Sequence, residues 1–178
     1  MRHKRCKETK MKKIEIENLK ENPFTMIGKD WMLITAEKDG KVNTMTASWG
    51  GFGVLWGKNV ATVYIRNSRY TKEFVDNGEK FSLCILPEKY RKELAYCGKV
   101  SGRDEDKIAK CGFTVEHQNG VPYFEESRLV FTCKKLYAQQ MSKEFFTENG
   151  RENISKFYSD DDWHVMYIAE IEEVLSKN

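Results

Sequence analysis

Two alternating runs, WMLITAEK and KVNTMTASW, stand on either side of Asp39-Gly40. A two-residue hairpin turn needs positive φ at both central residues, which Asp-Gly tolerates and most pairs do not. The pair therefore fixes an antiparallel hairpin early in the chain. KNVATVYI, EKFSLCIL, VPYFEESRLVFTCKKLYAQQ and DDWHVMYIAEIEEVL follow as strand-like segments rich in Val, Ile, Phe and Tyr. Short helices are inserted between them. SRYTKEFVDNG reads as a helix with Ser68 near its N-cap and Gly78 just past its end. EKYRKELAYCG reads as a second, ending at Gly98, and SGRDEDKIAKCG as a third, starting at Ser101 or at Arg103-Asp104 and stopping at Gly112. GGFGVLWG reads as a loop between strands. A dinucleotide fingerprint needs glycines that lead into a helix, and these lead into KNVATVYI. SKEFFTENGRENISKFY carries no clear period. Strands joined by hairpins predict a mainly β, α+β fold, with an antiparallel sheet closing on itself.

The chain has 178 residues, of which 40% are hydrophobic, enough for one domain with a substantial core. Its net charge of +3 is unevenly placed. The first 13 residues hold seven Lys or Arg and one Glu, which leaves the remainder slightly acidic. This divides the chain into a basic, disordered tail, 1–13, and a folded domain, 14–178, with Met11 an equal candidate for the start of the folded part. An acidic domain is a poor match for nucleic acid. No apolar run approaches the ~18–20 residues a membrane span needs. Five cysteines, an odd number without close spacing, argue against a disulfide framework and point to a reducing, cytoplasmic compartment. Cys84 and Cys133 fall in strand-like runs and read as small core residues, while Cys97 has no base beside it in sequence. The three histidines form no ligand pair, so no metal site is expected.

RNSRYTKEF crowds Arg66, Ser68, Arg69, Thr71 and Lys72 into a strand-to-helix junction. One reading is helix capping beside a solvated face. The other is an anion site, since helix N–H groups, hydroxyls and guanidinium forks all match phosphate geometry. SGRDEDK brings Ser101, Gly102, Arg103 and Lys107 to a second helix start, and two such corners could close on one phosphate. MTASW is either a strand burying Met45 and Ala47 or a surface of small residues on which a flat ring lies close. His164 heads a strand, as a surface or hydrogen-bonded residue or as a catalytic one.

The order of hairpin, NTMTASWGG, strand, RNSRYTKEF, strand, YCGKVSGRD and HVMYIAEI resembles the flavin reductase-like family, across about residues 20–175. The resemblance implies a six-stranded, FMN-binding split β-barrel with inserted short helices, flavoredoxin-like and homodimeric, with FMN near the subunit interface. It also implies site residues. Met45, Thr46, Ala47, Ser48 and Trp49 would meet the isoalloxazine ring. Arg66, Ser68, Arg69 and Thr71 would hold the phosphate, with Ser101, Gly102 and Lys107 adding to it. His164 would face the flavin and position a nicotinamide. Tyr167 and Ala169 stand where such relatives have Phe and Gly. The implied function is an FMN flavoprotein oxidoreductase that takes electrons from NADH or NADPH and reduces flavin or a downstream acceptor, including a redox partner protein. The alternative is a flavoredoxin-type electron carrier, or FMN-binding module, without nicotinamide turnover. A third reading keeps the barrel and exchanges flavin for another planar ligand such as heme.

Overall fold

The computed structural model describes residues 10–177. Its strands, in chain order, are β1 (Lys12–Ile14), β2 (Met32–Lys38), β3 (Lys41–Ala47), β4 (Gly50–Leu55), β5 (Lys58–Arg66), β6 (Lys80–Ile85), β7 (Val115–Gln118), β8 (Val121–Phe124), β9 (Leu129–Gln140) and β10 (His164–Ser176). The α-helices are α1 (Pro23–Thr25), α2 (Tyr70–Asn77), α3 (Arg91–Lys99), α4 (Lys107–Cys111) and α5 (Glu152–Phe157). Lys38 faces Lys41 across the β2–β3 turn, and Asp39 and Gly40 have φ of 51° and 74°. The hairpin is thus of the predicted kind. Asn119-Gly120 makes the same turn between β7 and β8, with φ of 50° and 76°.

All strand pairs are antiparallel. The main sheet runs β3-β2-β6-β9-β10-β5-β4, with β1 added beside β10. The two ends of this path, β3 and β4, are joined by Ser48 and Trp49 alone, so the chain itself draws the sheet into a ring. The barrel has more than the expected six strands for two reasons. GGFGVL, expected as a loop, is a strand: it pairs along β5 from Gly50↔Val63 to Leu55↔Lys58, and Phe52 anchors it with its ring 4.7 Å from that of Phe131. The expected tail also contributes. Lys12 and Lys13 pair with Ser176 and Leu175, and Met11 packs on a buried cluster, so the boundary at 13/14 falls inside β1. Residues 1–9 of that tail lie outside the described residues.

Two apolar clusters fill the molecule. The larger lies inside the barrel and includes Ile34, Met45, Val63, Ile65, Phe81, Phe131 and Tyr167. Cys84 and Cys133 are buried as read from the sequence. Tyr167 is fully buried, and its hydroxyl donates to Asp76 Oδ1 at 2.6 Å. Ala169 is buried in the same cluster. No helix among the described residues is long and apolar enough to cross a membrane.

The helix starts differ from expectation. Ser68 does not cap α2; Arg69 occupies the N-cap without a side-chain bond, and Ser68 Oγ instead donates to Asp162 Oδ2 at 2.5 Å. Gly78 ends α2 in an extended conformation, φ −95°. The third helix begins neither at Ser101 nor at Arg103-Asp104. Asp106 caps it by accepting from Ala109 N at 3.1 Å, which leaves Ser101 and Gly102 in a loop. Gly112 closes it in the left-handed conformation, φ 68°, where glycine meets no Cβ penalty.

Candidate functional site

Successive side chains of a strand point to opposite faces, so β5 divides its residues between core and exterior. Val63 and Ile65 are buried in the barrel, while Tyr64 and Arg66 look outward. The carboxyl end of β3, the carboxyl end of β5 and the head of β10 meet on this outer face, where His164 pairs with Arg66. Two adjoining cavities lie there. The first, of about 240 Å³, is lined by all seven residues expected around a phosphate: Arg66, Ser68, Arg69, Thr71, Ser101, Gly102 and Lys107. The second, of about 200 Å³, is lined by Met45, Thr46, Ala47, Ser48 and Trp49 together with His164. Met45, Arg66 and Arg69 line both, so the two form one trough.

Positive charge concentrates in the first cavity. Burial lowers the pKa of Arg69, and the neighbouring Arg66 lowers it further. Burial and then the Cys97 and Arg69 neighbourhood act on Lys107, with a net shift downward. Each guanidinium is fixed by the backbone. Arg66 donates to Asp162 O at 2.7 Å and Phe157 O at 2.8 Å, and Arg69 donates to Gly98 O at 2.6 Å. Lys107, 3% exposed, donates to Cys97 O and Val100 O, both at 3.0 Å. An arginine carries five N–H donors, so these contacts hold the forks in place and leave donors over. The Thr71 hydroxyl accepts from Asn43 Nδ2 at 3.0 Å and keeps its own hydrogen to give. Ser68 is different. Its N–H and its hydroxyl both bind the Asp162 carboxylate, at 3.0 and 2.5 Å, so a protein anion already stands at the mouth of α2.

The site fits a group that carries a phosphate at one end and a flat ring at the other. Four cations, Arg66, Arg69, Lys107 and Lys99, which sequence reasoning did not single out, border the first cavity together with the N-terminus of an eight-residue helix. The second is lined by small residues and by aromatic rings: Trp49 lies 5.1 Å from His164 and 5.1 Å from Phe157, centroid to centroid. Gly102 keeps the cavity floor tight, since a Cβ there would collide with the Asn43 amide. His164 is 6% exposed, and its Nδ1 meets the Tyr158 hydroxyl at 2.9 Å. Burial, then the Arg66 charge, pushes its pKa down to about 4, so the ring is neutral at pH 7. Cys97 lies outside the trough. Its Sγ is 3.7 Å from Cys111 Sγ, and burial, then Cys111, pushes its thiol up to about 12, which makes a thiolate nucleophile unavailable near neutral pH.

Comparison with known proteins assigns the family. The description "Flavin reductase like domain" matches residues 26–178. The chain belongs to this family. Among curated proteins, Escherichia coli K12 YddH, whose function is uncharacterised, is 30% identical over 121 residues, which cover 65% of this chain and 64% of YddH. Among the solved structures that share the fold, two illustrate it. The flavoredoxin of Methanosarcina acetivorans superposes with a TM-score of 0.66 at 22% identity, over 93% of this chain and 75% of its own. The FMN-binding domain of a flavin reductase-like enzyme from Shewanella baltica OS155 gives 0.69 at 17% identity, over 96% and 78%.

This member of the flavin reductase-like family also lines its trough with residues that sequence reasoning did not single out. Tyr64 borders the ring-sized cavity, and its signal was available: it stands two residues before Arg66 on the same face of β5. Phe157, which lines the same cavity, and Tyr158, which holds His164 from behind, come from the segment without a clear period and had no such signal. Arg103 was grouped with the cations but does not line the cavity. It pairs with Glu73 at 2.5 Å and lies over the Tyr70 ring.

Proposed function

We propose that the chain binds FMN and acts as an oxidoreductase through it. The observation that carries this reading is the trough itself, with four cations and a helix N-terminus at one end and a ring-sized cleft of small and aromatic residues at the other. Arg66, Arg69 and Lys107 neutralise the phosphate from fixed positions, and Thr71, Ser101 and the open backbone at Gly102 complete that end. Ser68 acts at one remove, by holding the Asp162 carboxylate that tempers the cation cluster. Met45, Thr46, Ala47, Ser48 and Trp49 form the wall on which the ring rests. FMN supplies the electron and hydride chemistry, and the protein orients it. His164, neutral and fixed by Tyr158, positions the donor at the ring, where reacting atoms must approach to about 3–3.5 Å. The donor in this reading is NADH or NADPH, the chain is a cytoplasmic homodimer, and a redox partner protein or free flavin takes the electrons.

A second reading, a flavoredoxin-type electron carrier without nicotinamide turnover, is favoured by one feature. A further cavity that opens beside the ring cleft has no charged side chain in its lining to meet a dinucleotide pyrophosphate. Purified apoprotein titrated with FMN and with riboflavin tests the flavin reading, which expects quenching by FMN at far lower concentration. NADH and NADPH oxidation, with and without free flavin, then separates the two functions. Absence of FMN binding would overturn both.

A further inference from the structure

The cavity beside the ring cleft has a volume of about 580 Å³, within the size range of small-molecule sites. It shares Ser48, Trp49, Tyr64 and Phe157 with the ring cleft, so a molecule bound in it abuts whatever occupies that cleft. Its lining contains no Lys, Arg, His, Asp or Glu among the described residues. Aromatic rings and glycine backbone make most of its surface, and the polar groups are the hydroxyls of Ser48, Tyr64 and Tyr158 and the amide of Asn153, whose Nδ2 donates to Gly150 O at 3.2 Å. The contrast with the cationic end of the trough is complete within one continuous channel.

We propose that this cavity is the acceptor site of the bound flavin, and that it takes neutral, planar aromatic carbonyl compounds of the quinone class. A charged ligand would lose its hydration there without gaining a partner, whereas a neutral ring loses little and stacks on the aromatic walls. Tyr158 already meets His164 Nδ1, but the Tyr64 hydroxyl can donate to a carbonyl oxygen without adding charge. In the reaction, the quinone gains two electrons and two protons as reduced FMN gives up the same. The products are a hydroquinone and oxidised FMN. The inference rests on the FMN reading, and it holds whichever donor reduces the flavin.

Gly51 offers a way to close the cavity without touching the ring cleft. It lines the cavity, pairs with Thr62 in β5, and so shares the outer face with Tyr64. A Cβ at Gly51 would meet nothing within 4 Å. The test uses full-length protein loaded with oxidised FMN and calorimetric titration with 2,3-dimethyl-1,4-naphthoquinone, whose blocked ring cannot alkylate thiols, and with a ring-carboxylated analogue of it. The neutral quinone should bind at least about tenfold more tightly than the carboxylate, as a charge buried without a partner requires. Gly51→Leu should weaken the quinone by a similar factor, keep FMN affinity within twofold, and slow reoxidation of photoreduced FMN by the quinone. Equal affinities for the two ligands, an unchanged quinone affinity in Gly51→Leu, or parallel loss of FMN in that variant would each overturn the proposal while leaving the FMN reading intact. Failure of the wild-type protein to bind FMN would overturn both.

Discussion

At the scale of single residues, the distribution of hydrogen bonds ranks the cations and hydroxyls of the trough. Arg69 is half-buried, destabilised by that burial and by Arg66, and fixed by one backbone bond, so an incoming dianion relieves it directly. Charge-assisted bonds contribute roughly 1.5–3 kcal/mol each, so Arg69→Gln should weaken FMN by about tenfold to a hundredfold and riboflavin hardly at all. Ser68→Ala should cost much less FMN affinity than Arg69→Gln, because the Ser68 donors already serve Asp162. Fluorescence titration of both variants with both flavins checks this, and equal losses for FMN and riboflavin would reduce the corner to helix capping. His164 gives a pH prediction. Its folded pKa of about 4 lies below the ordinary 6.5, so on acidification the unfolded chain takes up the proton first. Its contribution to stability is present above pH 6.5 and lost as pH falls toward 4. The wild-type urea midpoint should therefore drop more between pH 7 and pH 5 than that of His164→Gln, which keeps a hydrogen-bonding group toward Tyr158.

At the scale of elements, the Asp39-Gly40 turn and the long apolar runs made most strands legible, because the period-2 pattern and the turn chemistry point the same way. GGFGVL was not legible as a strand. Three glycines weaken strand propensity, and only the pairing with β5 and the Phe52 anchor override it. The helix starts misled for a different reason. Ser68 and Ser101 look like caps in sequence, but Asp162 and Arg103, far from Ser68 or local to Ser101, take their side chains, and no local pattern announces a partner ninety-four residues away. The phosphate-type residues could be found because they cluster in two short motifs, whereas Phe157 reaches the trough, and Tyr158 reaches His164 beside it, only through tertiary packing. Gly102 shows how tightly the two motifs meet. Gly102→Ala would drive a Cβ into the Asn43 amide and so disturb the bond from Asn43 to Thr71. Such overpacking typically costs about 1–3 kcal/mol, so a lower melting temperature together with weakened FMN binding is the expected result.

At the scale of the whole molecule, the β4–β5 hairpin carries an exposed apolar group that the single chain does not use. Val54 is 72% exposed and Trp56 60%, and the Trp56 ring lies 6.4 Å from that of Tyr137. Trp56 also has φ 54°, a left-handed conformation that a bulky residue adopts at a cost of about 1–2 kcal/mol. β4 ends the sheet path. In the proposed homodimer this edge is covered by a second copy, since a two-fold contact is the commonest way to bury such surface. Trp56→Asn puts the favoured Asn-Gly pair into the turn. It should stabilise the monomer by about 1 kcal/mol and weaken the dimer, as read by urea unfolding and by light scattering at micromolar concentration. The site itself sits at the seam of the ring, because Ser48 and Trp49 are both the ring-cleft wall and the whole of the link between the two ends of the sheet. A ligand resting on that link works as a clasp does on an open bracelet. Loading the trough should slow amide hydrogen exchange along β3 and β4 well beyond the residues that touch the ligand, so the breathing of the entire barrel becomes a gauge of whether its small seam is filled.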